Sequence, residues 1–260
     1  MTMSPAAKFD PIELGPLEAR LVMLTNGFEP IPVSGKRPLI DQWQSRSLNE
    51  EVIRTWDDMG PNTGIRTART PVFDIDITDE TGARVVEGVI LRRLADKGAI
   101  LIRIGLLPKR AIPARADITF PKITRGLVSP VGHKHRIEVL GDGQQVVVAG
   151  THPDTGSHHA WRWGHSPVTI SRDKLPLIDE HEAHSIVDEC VDELLQLGWT
   201  LAGGSSGTGP GAETDNVVPP CTPIAERIEK MQYAVGNSRS TTRCWPIAAI
   251  SCATASPAKA

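Results

Sequence analysis

The stretch "VFDIDIT", from Val72 to Thr78, decides the fold and raises the question of function. Its apolar and polar residues alternate, which is the pattern of a β-strand with one buried face. Residues two apart on a strand point to the same side, so Asp74 and Asp76 share the polar face. Aspartate is depleted in strands, and two like charges this close repel each other. A divalent cation between the carboxylates would remove that repulsion, because Mg²⁺ prefers hard oxygen ligands. The alternative is an edge strand whose acidic residues are simply solvated.

The composition is that of an ordinary soluble globular protein. The chain has 260 residues, of which 40% are hydrophobic and 23% charged, and a formal net charge of -3. Contact with nucleic acid would therefore need a local basic patch. The four cysteines form no CxxC pair, which argues against a disulfide framework and against a cysteine-rich zinc site. Residues 1–15 lack the pattern of a signal peptide, and no window approaches about 18 apolar residues, so we expect a cytoplasmic protein without a membrane partner.

Hydrophobic periodicity predicts helices and strands that alternate unevenly along the chain. Helices are expected at 13–27, 47–56, 78–98 and 176–198, with Ser47 and the pair Thr78–Asp79 as N-terminal caps. Strands are expected at 62–67, 71–78, 99–105, 136–141 and 144–150. This order predicts an α+β fold in which a mixed β-sheet is flanked by helices.

The domain organisation follows from a change in composition near residue 201. We predict a catalytic domain over 13–200 and a flexible Gly/Ser/Pro-rich linker over 201–222. Residues 223–260 are predicted to hold a short helix and a tail that is either naturally disordered or a truncated end. The last 25 residues contain no acidic side chain and half of the cysteines, and we assign no function to them.

A third acid and a run of cations extend the hypothesis. Glu138 stands in the strand-like "RIEVL" with Ile137 and Val139 on the opposite face, so it offers one outward carboxylate. Three acids from two strands would make a two-metal site for phosphoryl transfer if the strands are neighbours. Residues 103–136 carry eight cations against the single acid Asp117, which fits a polyphosphate or nucleic-acid backbone or, alternatively, a solvated loop. The cations are Arg103, Lys109, Arg110, Arg115, Lys122, Arg125, Lys134 and Arg136.

The order of the motifs resembles a known family. It runs "GFEPIPVSGKRPLIDQW", "NTGIRT", "VFDIDI", "RIGLLPKR", "IEVLGDGQQVVVAGTHPDTG" and "WRW". Over about residues 18–170 it is similar to the archaeo-eukaryotic primase superfamily, and specifically to the bifunctional primase/polymerase (Prim-Pol) N-terminal domain of phage and plasmid replication proteins. The "DID" and "IEVLGDGQQ" segments are the most specific parts.

The resemblance implies DNA-templated nucleotidyl transfer, with nucleoside triphosphates and a DNA template or primer as partners. Asp74, Asp76 and Glu138 match the acids that hold catalytic Mg²⁺ or Mn²⁺ in the family. The family's middle motif usually has a histidine after glycines, and "RIGLLPKR" stands in its place here. The resemblance therefore assigns the nucleotide phosphates to Arg103, Lys109, Arg110 and His152, and the DNA backbone to Arg115 and Lys122.

Other functions and sites stay open at this stage. A metal-dependent nuclease also uses clustered acids, and a non-catalytic DNA-binding module of a replication initiator would account for the altered middle motif. The "SGKRP" turn fails as a P-loop, although its Lys36 would lie near a nucleotide. The sequence has no G-x-x-x-x-G-K-[ST] motif, so a replicative helicase is expected on a separate protein or on a lost C-terminal half. The histidines of "HKH", "HH" and "HEAH" are more easily explained as surface residues than as zinc ligands.

Overall fold

The structure is a computed structural model that describes residues 14–202. Its helices are α1 (Pro16–Thr25), α2 (Glu50–Arg54), α3 (Glu80–Leu94) and α4 (Glu180–Gln196). The first six strands are β1 (Pro30–Ser34), β2 (Arg37–Pro38), β3 (Asn62–Arg66), β4 (Val72–Asp76), β5 (Arg103–Ile104) and β6 (Arg110–Pro113). The others are β7 (Ile123–Val128), β8 (Lys134–Leu140), β9 (Gln145–Ala149), β10 (Ala160–Trp161) and β11 (Thr200–Leu201). The predicted linker from residue 203 onward, and the predicted helix and tail at 223–260, lie outside the described residues.

The strands form two sheets, and the α+β prediction is confirmed. The large sheet has the order β10-β5-β6-β4-β8-β7-β11, and the small sheet has the order β2-β1-β3-β9. Every pair of neighbouring strands in both sheets is antiparallel, whereas a mixed sheet was expected. The one parallel contact among the described residues is an isolated bridge between Arg115 and Leu177.

Helices α3 and α4 cover one face of the large sheet. The buried side of β4, with Phe73, Ile75 and Ile77, packs in one cluster with Val86 and Ile90 of α3 and with apolar residues of α4. We call this cluster the helix-side core. The buried apolar residues alternate with Asp74 and Asp76 along the chain. This explains the pattern of "VFDIDIT", because one face of β4 is buried in the core and the other is not.

Helices α2, α3 and α4 begin where side chains cap them. The Asp79 carboxylate accepts a hydrogen bond from the Gly82 backbone N–H at 2.6 Å, which places the start of α3 at Glu80. Helix α2 is shorter than predicted, and its cap is Asn49 rather than Ser47. The Asn49 side chain accepts a hydrogen bond from the Val52 N–H, so this asparagine provides the polar acceptor that was assigned to the serine.

The small sheet packs against the other face of the large sheet at one end of β4. Val72 and Leu140 of the large sheet belong to one apolar cluster with Ile65, Val146 and Val148 of the small sheet. We call it the inter-sheet core. A third cluster joins the small sheet to α1 and α2 through Ile31, Val33, Ile53 and Trp56.

The basic segment 103–136 is folded rather than a solvated loop. It contributes β5, β6 and β7 and the start of β8, of which only the first and last were expected as strands. The strand expected at 99–105 is reduced to Arg103–Ile104. Prolines, glycines and charges in this segment conceal the alternation that identifies strands. Within residues 14–202, no helix has the length and apolar character needed to cross a bilayer.

Candidate active site

The two aspartates of β4 lie where the small sheet stops covering the large one. Val72, on the same face of β4, is buried in the inter-sheet core. Two and four residues further along, the Asp74 and Asp76 side chains are 31% and 28% exposed. The polar face of β4 therefore passes from a packed end to an accessible end within a single strand.

Glu138 lies directly across from Asp74. Strands β4 and β8 are antiparallel neighbours, and their register pairs Asp74 with Glu138 and Asp76 with Arg136. Residues directly opposite each other in an antiparallel pair have Cα atoms about 4.5–5.5 Å apart and project to the same face. The fold thus brings the three predicted acids together on one face.

Each of the three carboxylates is contacted by a cation from the basic segment. Lys109 Nζ lies 2.6 Å from Asp76 Oδ1, and Lys122 Nζ lies 2.9 Å from Glu138 Oε1. Arg136 reaches two acids, with Nη2 3.2 Å from Asp76 Oδ2 and Nη1 3.7 Å from Glu138 Oε1. Arg103 Nη2 lies 4.0 Å from Asp74 Oδ1. The basic segment therefore supplies counter-charges to the acids in the free protein.

The two aspartates differ in their ionisation. Burial raises the pKa of Asp74; Arg103 opposes that effect, and the like charges of Asp76 and Glu138 add to it. Burial alone would also raise the pKa of Asp76, but hydrogen bonds and charge from Lys109 and Arg136 outweigh it and hold that pKa below its usual value. A cation ligated by Asp74 would therefore relieve an unfavourable charge in the free protein.

Two histidines extend the site along β5. Arg103 Nη1 lies 3.3 Å from His159 Nδ1, and the rings of His152 and His159 meet edge to face at 5.5 Å. They approach β5 closely because Gly105 has no side chain; a Cβ there would lie 2.9 Å from His152 Cδ2. Burial, helped by the charge of Arg103, lowers the pKa of His159 to about 4, and burial together with Lys36 lowers that of His152. Both rings are therefore expected to be neutral at pH 7.

Lys36 is a further cation of this region. It lies in the turn between β1 and β2, and its charge acts on Asp74, His152 and His159. The Gln145 side chain donates a hydrogen bond to the Lys36 carbonyl at 2.8 Å, which ties this turn to β9. The small sheet thereby contributes a positive charge to a face built mostly by the large sheet. The sequence analysis left Arg136 without a role. Its position could have been predicted, because Arg136 precedes Glu138 by two residues on one strand and so shares its face.

Arg110 does not join the site, which corrects its assignment to the nucleotide phosphates. It lies opposite Ile75 in the β4–β6 register, so it points to the face covered by α3. Its side chain is only 6% exposed and forms ion pairs with Glu87 and Glu80 of α3. Lys109 and Arg110 are adjacent in the sequence, but successive side chains at the start of β6 point to opposite faces of the sheet.

The two residues assigned to the DNA backbone lie at different places. Lys122 contacts Glu138 and so belongs to the acidic cluster rather than to a separate surface. Arg115 follows β6 at the end away from Asp74, where its Nε donates to the Leu175 carbonyl at 3.0 Å. It shares that region with two more arginines, Arg69 and Arg172, whose side chain donates to the Arg69 carbonyl.

The donor set fits a hard divalent cation. Asp74, Asp76 and Glu138 provide carboxylate oxygens from one face of the sheet, which suit Mg²⁺ or Mn²⁺ and are poor ligands for soft metals. In the free protein these oxygens bind lysine and arginine side chains, and over residues 14–202 no three His, Cys, Asp or Glu side chains already converge on one metal position. Metal binding would therefore exchange the cationic side chains for the ion.

Comparison with known proteins identifies a family for this chain. The family model described as "Bifunctional DNA primase/polymerase, N-terminal" matches residues 20–177, which is more than half of the chain. No curated protein matches the sequence. The match includes β4, β8 and all three carboxylates, and it ends just before α4. The chain therefore belongs to the family of bifunctional DNA primase/polymerase N-terminal domains.

Proposed function

We propose that this protein catalyses template-dependent nucleotidyl transfer to DNA at the face formed by β4 and β8. The observation that carries the proposal is the pairing of Asp74 with Glu138 across neighbouring strands, with Asp76 beside them. Three carboxylates on one face would hold divalent cations, and the lysines and arginines beside them would bind a polyanion. Family membership supports the same activity.

Asp74, Asp76 and Glu138 would hold the divalent cations, Mg²⁺ or Mn²⁺, in a two-metal arrangement. When bound, such ions lower the pKa of an attacking hydroxyl and neutralise charge on a triphosphate. The protein's own contribution is to fix three oxygen ligands on a rigid sheet. Backbone pairing of β4 with both β6 and β8 keeps Asp74 and Glu138 in register.

The cations of the site would bind the triphosphate. Arg103 is held in place by a hydrogen bond from its Nη1 to the Val147 carbonyl at 2.9 Å, so its guanidinium needs little reordering to meet a phosphate. Lys109 and Lys36, whose charges both act on His152, would add two ammonium groups for the phosphates. Lys109 is paired with Asp76, and a metal ion held by Asp76 would leave this lysine free to bind a phosphate.

Neutral His152 and His159 complete the phosphate side of the site. A neutral imidazole can donate one hydrogen bond, which suits a phosphate oxygen without adding charge. In the reaction the 3′-hydroxyl of a primer attacks the α-phosphorus in line, and pyrophosphate leaves. Arg103, Lys109 and His152 would stabilise the charge that develops on the leaving group.

The wider role follows from the resemblance to phage and plasmid replication proteins. It supports a place in the replication of such DNA in the cytoplasm, with a separate replicative helicase as partner. Arg115, with Arg69 and Arg172, is proposed as a contact for the DNA backbone away from the acids. Residues 13–200 are proposed as the catalytic domain.

Primer extension tests the proposal. The full chain is incubated with a labelled primer on a template, deoxynucleoside triphosphates and Mg²⁺ or Mn²⁺. Lengthening of the primer supports nucleotidyl transfer, shortening would show a nuclease, and DNA binding with neither would show a non-catalytic module. Asp74→Asn, Asp76→Asn and Glu138→Gln should each abolish extension. The matched control is Asp142→Asn, because Asp142 lies in an exposed turn where its carboxylate accepts a hydrogen bond from the N–H of Gly143.

A further inference from the structure

A large exposed aromatic side chain stands outside the site described above. Trp163 lies in a short turn after β10, and its side chain is 66% exposed. Its φ is 60°, in the left-handed region that bulky residues rarely occupy. An exposed tryptophan in a backbone conformation that disfavours it is poorly explained by stability, which points to a binding role.

A fixed guanidinium accompanies the Trp163 ring. Arg162 Cζ lies 5.5 Å from the ring centroid, within range of a cation–π interaction. Arg162 is held there by an ion pair with Glu87, which also pairs with Arg110. The aromatic surface and the positive charge are therefore presented together.

The same arginines border a cleft between α3 and the turn. The cleft has a volume of about 390 Å³. Its lining residues are Arg84, Glu87, Gly88, Leu91, Arg110 and Arg162. Glu80 and Glu87 neutralise two of the three guanidinium charges, which leaves the cluster one positive charge in excess. The exposed guanidinium of Arg84 and the partly exposed one of Arg162 are the accessible donors for an anion.

We propose that Trp163 and this cleft bind single-stranded DNA, with a base stacked on Trp163 and the adjoining phosphate at Arg84 and Arg162. Aromatic rings beside a cationic groove are the usual means of binding single strands without sequence preference. The choice of DNA rests on the proposed function. The cleft lies on the α3 face of the large sheet, and the three acids lie on the opposite face. The cleft is therefore a second contact for the DNA strand, at the β10 edge of the sheet.

Binding of fluorescein-labelled oligo(dT) to the full chain, followed by fluorescence anisotropy, tests the inference. Trp163→Ala should weaken binding roughly 5- to 150-fold, the range expected for the loss of one stacked base, whereas Trp163→Phe should keep most of the affinity. Arg84→Gln, at an exposed position, should weaken binding and reduce the dependence of log K on log salt by about 0.7. The control is Val131→Ala, which removes another exposed apolar side chain, away from the arginines proposed as DNA contacts.

The inference is overturned if Trp163→Ala binds oligo(dT) within twofold of the unmodified protein, or if Val131→Ala loses as much affinity. It is also overturned if Trp163→Ala loses affinity for dTTP but not for oligo(dT), because the cleft would then hold a free nucleotide. Primer extension by the unmodified protein separates this inference from the proposed function. A protein that extends no primer but still loses oligo(dT) affinity on Trp163→Ala would refute the proposed activity and leave the strand-binding cleft standing.

Discussion

Asp74→Asn is expected to stabilise the folded protein while it abolishes primer extension. The pKa of Asp74 is raised by burial and by the neighbouring acids, even with Arg103 nearby. An acid with a raised pKa is held in its ionised form at neutral pH at a cost to the folded state. Asparagine has the shape of the protonated acid, so the substitution removes the disfavoured charge.

The size of the effect follows from the contacts of Asp74. A like charge roughly 6.5 Å away, two residues along a strand, costs about 2.5 kcal/mol at an effective dielectric constant of about 20. Asp76 is one such charge. Glu138 lies directly opposite, at about 5 Å, and costs about 3 kcal/mol more. Arg103 at 4.0 Å offsets about 4 kcal/mol. These charges leave a net gain of about 1–2 kcal/mol for the asparagine, and burial of the carboxylate acts in the same direction. The melting temperature should rise by about 2–8 °C.

Thermal unfolding of both proteins in EDTA across a pH series measures this. The ionised carboxylate opposes folding above the folded-state pKa, and this opposition fades as the pH falls through that pKa toward the ordinary value of 3.8. The difference between the two proteins should therefore shrink in acid. A melting temperature below that of the unmodified protein at pH 7 would refute the reasoning, because it would show that the charge of Asp74 supports the fold. Asp142→Asn should shift the melting temperature little.

Three further predictions concern the ion pairs and histidines. Lys122→Met should lower the melting temperature in EDTA, because Glu138 loses its contact at 2.9 Å, and millimolar Mg²⁺ should close the gap to the unmodified protein; a gap that persists would count against an ion at Glu138. Glu87→Gln should lower the free energy of unfolding by about 3–5 kcal/mol in urea titrations, because it leaves the buried Arg110 without its main partner; an unchanged value would show that the pair is dispensable. The folded-state pKa of His159 is about 4, below its ordinary 6.5, so the unfolded chain binds the proton more readily and stability should fall as the pH drops from 6.5 to 4. His159→Gln should flatten that decline, and an identical pH profile would contradict the assignment.

The sheet faces of the three acids were predictable from strand periodicity. The alternation in "VFDIDIT" and "RIEVL" is enough to place Asp74, Asp76 and Glu138 on the polar faces of their strands. Their adjacency depends on the register of β4 against β8, which is set by long-range packing and is not written in either segment.

The roles of the individual cations in the basic segment could not be predicted from the sequence. Its cations look equivalent along the chain, but the strand pairing sends Lys109 to Asp76 and Arg110 to Glu87 on the other side of the sheet. Lys122 was expected on DNA and instead meets Glu138. Only recognition of β6 and β7 as strands would have separated these roles, and the prolines and charges of the segment hide them. Net charge could identify the segment but could not assign its faces.

Arg103 ties the chemistry of one sheet to the position of the other. Its guanidinium lies near Asp74 on the large sheet and donates to the Val147 carbonyl on the small sheet. A ligand that replaces Arg103 at Asp74, or that attracts its guanidinium, changes the strength of this contact between the two sheets. Thermodynamic reciprocity then requires that any change which weakens or strengthens the contact also changes the affinity for that ligand. Substitutions in β9, which supplies none of the proposed metal or phosphate ligands, are thus a means to adjust how strongly the protein holds its substrates.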